Sequence, residues 1–357
     1  MRRTSLLAVI LLIVVSLGVA GGCSDNNNNG NNNGGGGGVG APDPEAPEFD
    51  LELAIELGEL SLVAYEQRLE CISGGKEAIT VPTGYTLEEV IFEGVSSFFN
   101  STCMGDDDVI PIAFIATRDD NIYVVFRGTA NFADAISDLA ALQQPYMFIP
   151  NAGNVSIGFQ TTYQGTDDNP IESTILSKLD DLTMTGNFSN LYITGHSLGA
   201  ALAFLAFPDL SQNVGDIDNV TMYNFAGPAV GDSDWVSAYE GEYALNRVSI
   251  RIVNTNDLVP MLPPLGLDCE NFEYFHVDNE HEITFGVQLP ALPDFADDDC
   301  SLVSIGAQLA TYGLVNQDDI LEDHSMCTYF NTLCAQGSSP GTCSQRAVGC
   351  DDGNMNP

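Results

Sequence analysis

Gly195-His196-Ser197-Leu198-Gly199 is the segment of this chain whose residue types and spacing point most directly to chemistry. The strand-like run Leu191–Thr194 precedes it and the helix-like run Ala200–Phe207 follows. Strand, G-x-S-x-G and helix together describe a tight turn that lifts a serine hydroxyl clear of a sheet. The backbone crowds two residues before and two after the serine, so Gly195 and Gly199 fit there and larger residues do not. The N–H of Leu198 sits at the start of the helix, where it can meet charge developing on an attacked carbonyl. A second match, Gly337-Ser338-Ser339-Pro340-Gly341, serves as a control. No strand-like run precedes it, Pro340 has no N–H to donate, and no histidine follows it. It reads as a turn in the tail.

A serine nucleophile needs a base, and the base needs an acid to orient it. The chain has four histidines. His196 lies inside the turn itself, which leaves His276, His281 and His324 as candidate bases. The acid should sit in a loop just after a strand. Asp257 does so, following Arg251-Ile252-Val253-Asn254 in the segment Asn256-Asp257-Leu258-Val259-Pro260.

The elements that must hold these residues alternate. Phe49–Arg68 reads as a helix with Leu53, Leu57, Leu60 and Val63-Ala64 on one face. Ile112–Ala116 and Ile122–Phe126 read as strands joined by the polar turn Thr117–Asn121. Asn187–Thr194, Val220–Phe225 and Val248–Val253 are further β-rich runs. Strands alternating with helical segments predict an α/β fold with a mostly parallel central sheet flanked by helices.

The chain's start reads as an address. Arg2-Arg3, the apolar run Leu6–Val19 and Ala20-Gly21-Gly22 form a signal peptide over residues 1–22. Cys23, directly after small residues, resembles the lipidated cysteine of bacterial lipoproteins, with Ala20 where leucine is commoner. Residues 23–48, rich in Asn, Gly and then Pro, read as a disordered linker. A single folded domain is expected over 49–330 and a cysteine-bearing tail over 331–357. Export is expected, with anchoring to a bacterial envelope through Cys23 and free secretion as the alternative.

Without Cys23 the nine cysteines become eight, an even number in an exported chain. No C-x-x-C pair occurs, so disulfides are expected rather than zinc. Chain order suggests 71–103, 269–300 and pairings within the last four. The Asp106–Asp108 and Asp297–Asp299 runs lack a calcium-loop spacing and read as solvated surface. With 50 acidic and 10 basic residues the chain carries a formal charge of −40. Nucleic-acid binding is therefore excluded, because no basic patch can meet phosphates.

Taken in order, the motifs resemble the class 3 lipases, the fungal-type triacylglycerol lipases of the α/β-hydrolase superfamily, over roughly Phe49 to Phe330. Val124-Val125-Phe126-Arg127-Gly128-Thr129 is similar to the family's strand and oxyanion loop. Val155-Ser156-Ile157-Gly158-Phe159 is similar to its V-H-x-G-F, with serine in place of histidine. Gly195–Gly199 matches G-H-S-L-G, and Asn224–Gly231 resembles the next strand and its G-x-P-x-V-G loop. Asn254–Pro264 resembles N-x-x-D-x-V-P-x-L-P-P, and Phe275-His276-Val277 and Asp323-His324 resemble the last two.

The resemblance implies an α/β-hydrolase fold and a serine ester hydrolase that needs no cofactor and no metal. It implies Ser197 as nucleophile, Asp257 as acid, His324 as base, and Thr129 with Leu198 as the oxyanion hole. It also implies a lid after the oxyanion loop. Ala130–Leu142 fits, with Phe132, Ile136, Leu139 and Leu142 at helical spacing, although the family's frequent lid tryptophan is missing. The expected partners are a lipid or ester substrate and a lipid–water interface or membrane surface. Phospholipase A1, a feruloyl-type esterase and a non-catalytic lipid- or partner-binding surface lipoprotein are the alternatives, and the oligomeric state is left open.

The charge excess generates the first test. Like charges repel most in the folded state, and salt screens them by cutting the Debye length from about 10 Å at 0.1 M to about 3 Å at 1 M. The melting temperature is expected to rise as NaCl is raised from low to molar concentration. A fall across that range, followed by circular dichroism, contradicts the reading.

Overall fold

The computed structural model describes residues 47–73, 80–94, 109–129, 142–215, 217–243, 247–263, 273–286, 322–337 and 343. The signal peptide, Cys23 and the lid candidates Phe132, Ile136 and Leu139 lie outside them. So do both Asp runs and residues 338–341 of the control motif.

Helix α1 (Leu51–Ser73) starts two residues later than the periodicity suggests because Asp50 caps it. The Asp50 carboxylate accepts from the N–H groups of Glu52 (3.0 Å) and Leu53 (3.1 Å). Strands β1 (Thr86–Gly94), β2 (Val109–Arg118) and β3 (Asn121–Phe126) follow. β1 is an antiparallel strand at the sheet edge that hydrophobic patterning did not reveal. It is exposed or half-buried except at Ile91 and Glu93, and the second of these is charged, which leaves little periodic signal. β2 and β3 form a hairpin through Asp119-Asp120, with Asp119 at φ 55°.

A small two-stranded sheet pairs β4 (Gln143–Pro145) with β5 (Asn154–Ser156). It leads into α2 (Ile157–Gln164) and α3 (Glu172–Thr185). Then come β6 (Asn190–His196), α4 (Leu198–Asn213), β7 (Asn219–Phe225), α5 (Ser233–Ala238), β8 (Val248–Asn254) and β9 (Glu280–Ile283). Helix α6 (Met326–Gln336) is the last element described.

The main sheet runs β1-β2-β3-β6-β7-β8-β9. β1, β2 and β3 are antiparallel, and from β3 to β9 all neighbours are parallel. Both faces are covered, so successive residues of each strand enter different cores. Ile122, Val124, Leu191, Ile193, Val220 and Met222 join the core under α2, α3 and α4. Tyr123, Val125, Tyr223 and Phe225 join the core under α1 and α6.

Helix α4 runs past Phe207, where Pro208 would suggest a stop, to Asn213. An interior proline costs about 3 kcal/mol. Here every residue from Leu198 to Leu210 is buried, so apolar contact all round the helix outweighs that cost. Asp209, drawn inside with it, accepts from Tyr163 Oη and Asn213 Nδ2, both at 2.7 Å.

Helix α6 continues through Phe330 and buries Leu333 beyond it. A disulfide joins Cys334 to Cys343, a pairing within the last four cysteines, and Cys327 is also disulfide-bonded. Gly58 of α1 faces Met326 and Phe330 at this seam, where a Cβ would stand in ordinary contact 3.4 Å from each. Phe330 is fully buried in that seam. Phe330→Ala is expected to cost about 3–5 kcal/mol, read as a lower urea midpoint. A change under 1 kcal/mol would show that this seam does not carry the core.

Candidate active site

The parallel register brings loop starts together at the carboxyl edge of the sheet. Phe126 pairs with Gly195, His196 with Phe225, and Phe225 with Ile252. The segments after β3, β6 and β8, namely Arg127–Thr129, Ser197 and Thr255–Asp257, therefore open on one side. This edge is where open α/β sheets place their sites.

Ser197 occupies a left-handed conformation, φ 59° and ψ −123°, between β6 and α4. Its N–H donates to the carbonyl of Phe225 at 3.0 Å, and its own carbonyl accepts from Ala200 and Ala201. A Cβ on Gly195 would fall onto the Gly199 carbonyl, and one on Gly199 onto the Phe126 carbonyl. The turn closes only without side chains at both positions. Leu198 opens α4, so its N–H belongs to the group that has no partner within the helix.

Ser197 Oγ lies 2.8 Å from His324 Nε2. His324 Nδ1 lies 2.9 Å from Asp257 Oδ2 and 3.1 Å from Oδ1. All three residues are at least 97% buried: Ser197 is 2% exposed, His324 3% and Asp257 1%. Asp257 also accepts from Tyr329 Oη at 2.7 Å and from the N–H of Val259 at 2.9 Å. Burial, and then the Asp257 carboxylate beside it, push the Tyr329 phenol far above its ordinary range, so it stays protonated and donates.

Asn254 ties these pieces together. Its N–H donates to Tyr329 Oη (2.9 Å), its amide nitrogen to the carbonyl of Asp323 (2.9 Å), and its amide oxygen accepts from Phe285 (3.0 Å). The loop bearing Asp257 and the segment bearing His324 are thereby clamped.

His196 supports the cluster from behind. Burial, then the neighbouring His324, hold its pKa well below the ordinary value, so the ring is neutral. A neutral ring has one N–H, and only a donor can meet a carbonyl. His196 Nε2–H therefore donates to the His324 carbonyl (2.8 Å), and Nδ1 accepts from Tyr65 Oη (2.7 Å). Tyr65 comes from α1, and its phenol is raised by burial.

Thr129, 4% exposed, ends the segment after β3. Gly128 packs that segment against the turn, since a Cβ there would stand 2.6 Å from the His196 carbonyl and collide with Tyr65 Oη.

The other histidines stand apart from Ser197 in their contacts. His276 Nε2 is 2.5 Å from the Pro260 carbonyl, and His281 stacks on Phe49 with centroids 3.5 Å apart. Ser156 caps α2, accepting weakly from Phe159. Among the described residues, no group of three or more His, Cys, Asp or Glu is placed to hold a metal ion. Sequence reasoning missed Tyr65 and Tyr329 and gave no role to Asn254, the first residue of the N-x-x-D segment, because their roles arise from contacts across 70 or more positions.

The fold is the α/β-hydrolase fold. Solved structures share it: lipase II from Rhizopus niveus superposes with a TM-score of 0.50 at 21% identity, covering 67% of this chain and 84% of that one. A triacylglycerol lipase whose catalytic centre is formed by a serine protease triad gives 0.51 at 22%, covering 66% and 81%.

Residues 123–267 match the family described as Lipase (class 3). The Rhizomucor miehei lipase is 32% identical over 166 residues, 46% of this chain and 42% of that protein. A secreted mono- and diacylglycerol lipase of Gibberella zeae is 27% identical over 166 residues, 40% and 39%. A rice phospholipase A1 is 28% identical over 160 residues, 41% and 40%. The chain spans about two-fifths of the length of the curated relatives it matches.

His276 supplies a test of the surroundings. Burial, then Arg251, lower its pKa from 6.5 to about 3. Between those values the unfolded chain binds a proton that the folded chain refuses, so this residue's contribution to stability is lost as pH falls. From pH 7 to 5 the loss is about 2 kcal/mol at most. His276→Gln keeps a donor for Pro260 and cannot titrate. Its urea stability is expected to fall less than wild type over that interval, and parallel curves would refute the depressed pKa.

Proposed function

We propose that this protein hydrolyses carboxylic esters through Ser197, His324 and Asp257, with acylglycerols as substrates. The continuous chain from Ser197 Oγ through His324 to Asp257, 2.8 Å and then 2.9 Å, carries the reading. His324 Nε2 takes the serine proton as Oγ attacks the ester carbonyl, while Asp257 holds the imidazole in the tautomer that accepts it. The N–H groups of Thr129 and Leu198 receive the developing oxyanion. His324 returns the proton to the leaving alcohol, and water then cleaves the acyl-enzyme by the same route.

Acylglycerol is supported by the likeness to the secreted mono- and diacylglycerol lipase of Gibberella. Phospholipid is the second substrate class, on the likeness to the rice phospholipase A1. The acidic surface disfavours anionic headgroups, because like charges repel. We read residues 49–330 as the hydrolase region and 1–22 as an export signal. Export is supported by the secreted Gibberella relative, and anchoring through Cys23 by sequence alone.

A fluorophosphonate probe and a panel of p-nitrophenyl esters, triolein and phosphatidylcholine test this. Wild type is expected to be labelled and to cleave the esters. Ser197→Ala should lose labelling, and His324→Ala should lower kcat by on the order of 10⁴ or more. Turnover retained in His324→Ala would overturn the assignment.

A further inference from the structure

Arg127 is a charged side chain with 1% exposure, placed directly before the oxyanion segment. Burying a guanidinium is costly unless its donors are used. Here Nε donates to the Pro111 carbonyl at 2.7 Å, and Nη1 donates to the Gly128 carbonyl in a short contact. The first anchors the group to β2. The second grips the carbonyl of the very peptide unit whose N–H belongs to Thr129.

Two physical consequences follow. A trans peptide is planar, with its C=O and N–H pointing in opposite directions, and this peptide is not among the cis bonds of the described residues. Fixing the Gly128 oxygen on the guanidinium therefore turns the Thr129 N–H away from the buried side. Gly128 meanwhile lies against the His196 carbonyl, so the peptide stands beside the serine turn. In addition, a charged donor on an amide oxygen draws electron density from the amide nitrogen and makes its N–H a stronger donor.

Burial, then Arg68, bring the guanidinium down to about 10, while Glu93 and Tyr65 work the other way. It stays cationic at neutral pH.

We propose that Arg127 is a positioning residue for ester hydrolysis: by holding the Gly128 carbonyl it aims and polarises the Thr129 N–H that stabilises the oxyanion. The inference rests on the role given to Thr129 above. It predicts a defect confined to the transition state, because the ground-state carbonyl makes weaker use of that N–H.

The test compares Arg127→Met, which keeps length and loses every donor, with Arg127→Lys, which restores one cationic donor. Active serines are first titrated with a fluorophosphonate, so that misfolded protein is not counted. Per titrated site, Arg127→Met is expected to lose about 10- to 100-fold in kcat with KM within about twofold, less than the 10²–10³ for a whole donor. Affinity for an arylboronic acid, which forms a tetrahedral adduct on the serine, should fall by the same factor, and Arg127→Lys should recover most of both. If Arg127→Met fails to fold, Arg127→Gln takes its place in the same comparison. A normal kcat per titrated site and normal boronate affinity, with only a lower melting temperature, would make Arg127 structural and overturn the inference alone. A wild type that neither reacts with fluorophosphonate nor binds boronate would remove the hydrolase reading and this inference with it.

Discussion

The site depends on one strained turn held by backbone packing. Ser197 sits at φ 59°, a conformation that side-chain-bearing residues avoid and that costs of order 1–3 kcal/mol. It persists because its neighbours leave no other arrangement. The Ser197 N–H is taken by the Phe225 carbonyl across the sheet, and its carbonyl by the first turn of α4. Gly195 and Gly199 meet face to face, and Gly199 rests on the backbone of Phe126 and Arg127. Strand pairing, helix start and the segment after β3 therefore share the same few atoms. A change in any one displaces the other two.

Around that turn, several buried polar groups satisfy one another. Asp257 accepts from His324, Tyr329 and Val259, and Tyr329 in turn accepts from Asn254. His196 spans from Tyr65 in α1 to the His324 carbonyl. In a low dielectric each such bond is strong when made and costly when lost, so the imidazole is confined to one tautomer and one position. The fold thus places an imidazole, contributed from 127 positions later in the chain, within hydrogen-bond reach of the serine. Arg127 and Asn254 each donate to a backbone carbonyl beside the cluster, that of Gly128 and that of Asp323.

Much of the scaffold could be read without coordinates. Strands β2, β3, β6, β7 and β8 and helices α1 and α4 declare themselves through apolar periodicity and glycine punctuation, because both faces of the sheet are buried. What escaped was weakly patterned or overridden by context. The edge strand β1 has half-wet faces, and α4 continues through Pro208 because its surroundings are apolar on every side.

From the residues alone came the serine turn, since strand, glycine spacing and helix are local features, and the loop aspartate after β8. The residues by themselves left three histidines open as base. Which of the three meets Ser197 and Asp257 belongs to tertiary structure. His276 spends its Nε2 on Pro260, His281 stacks on Phe49, and His324 alone of the three contacts Ser197 and Asp257. The physical reason is range: the serine turn is set by backbone sterics over five residues, whereas the Ser197–His324–Asp257 contacts are set by side chains that only the packed sheet and helices bring within 3 Å.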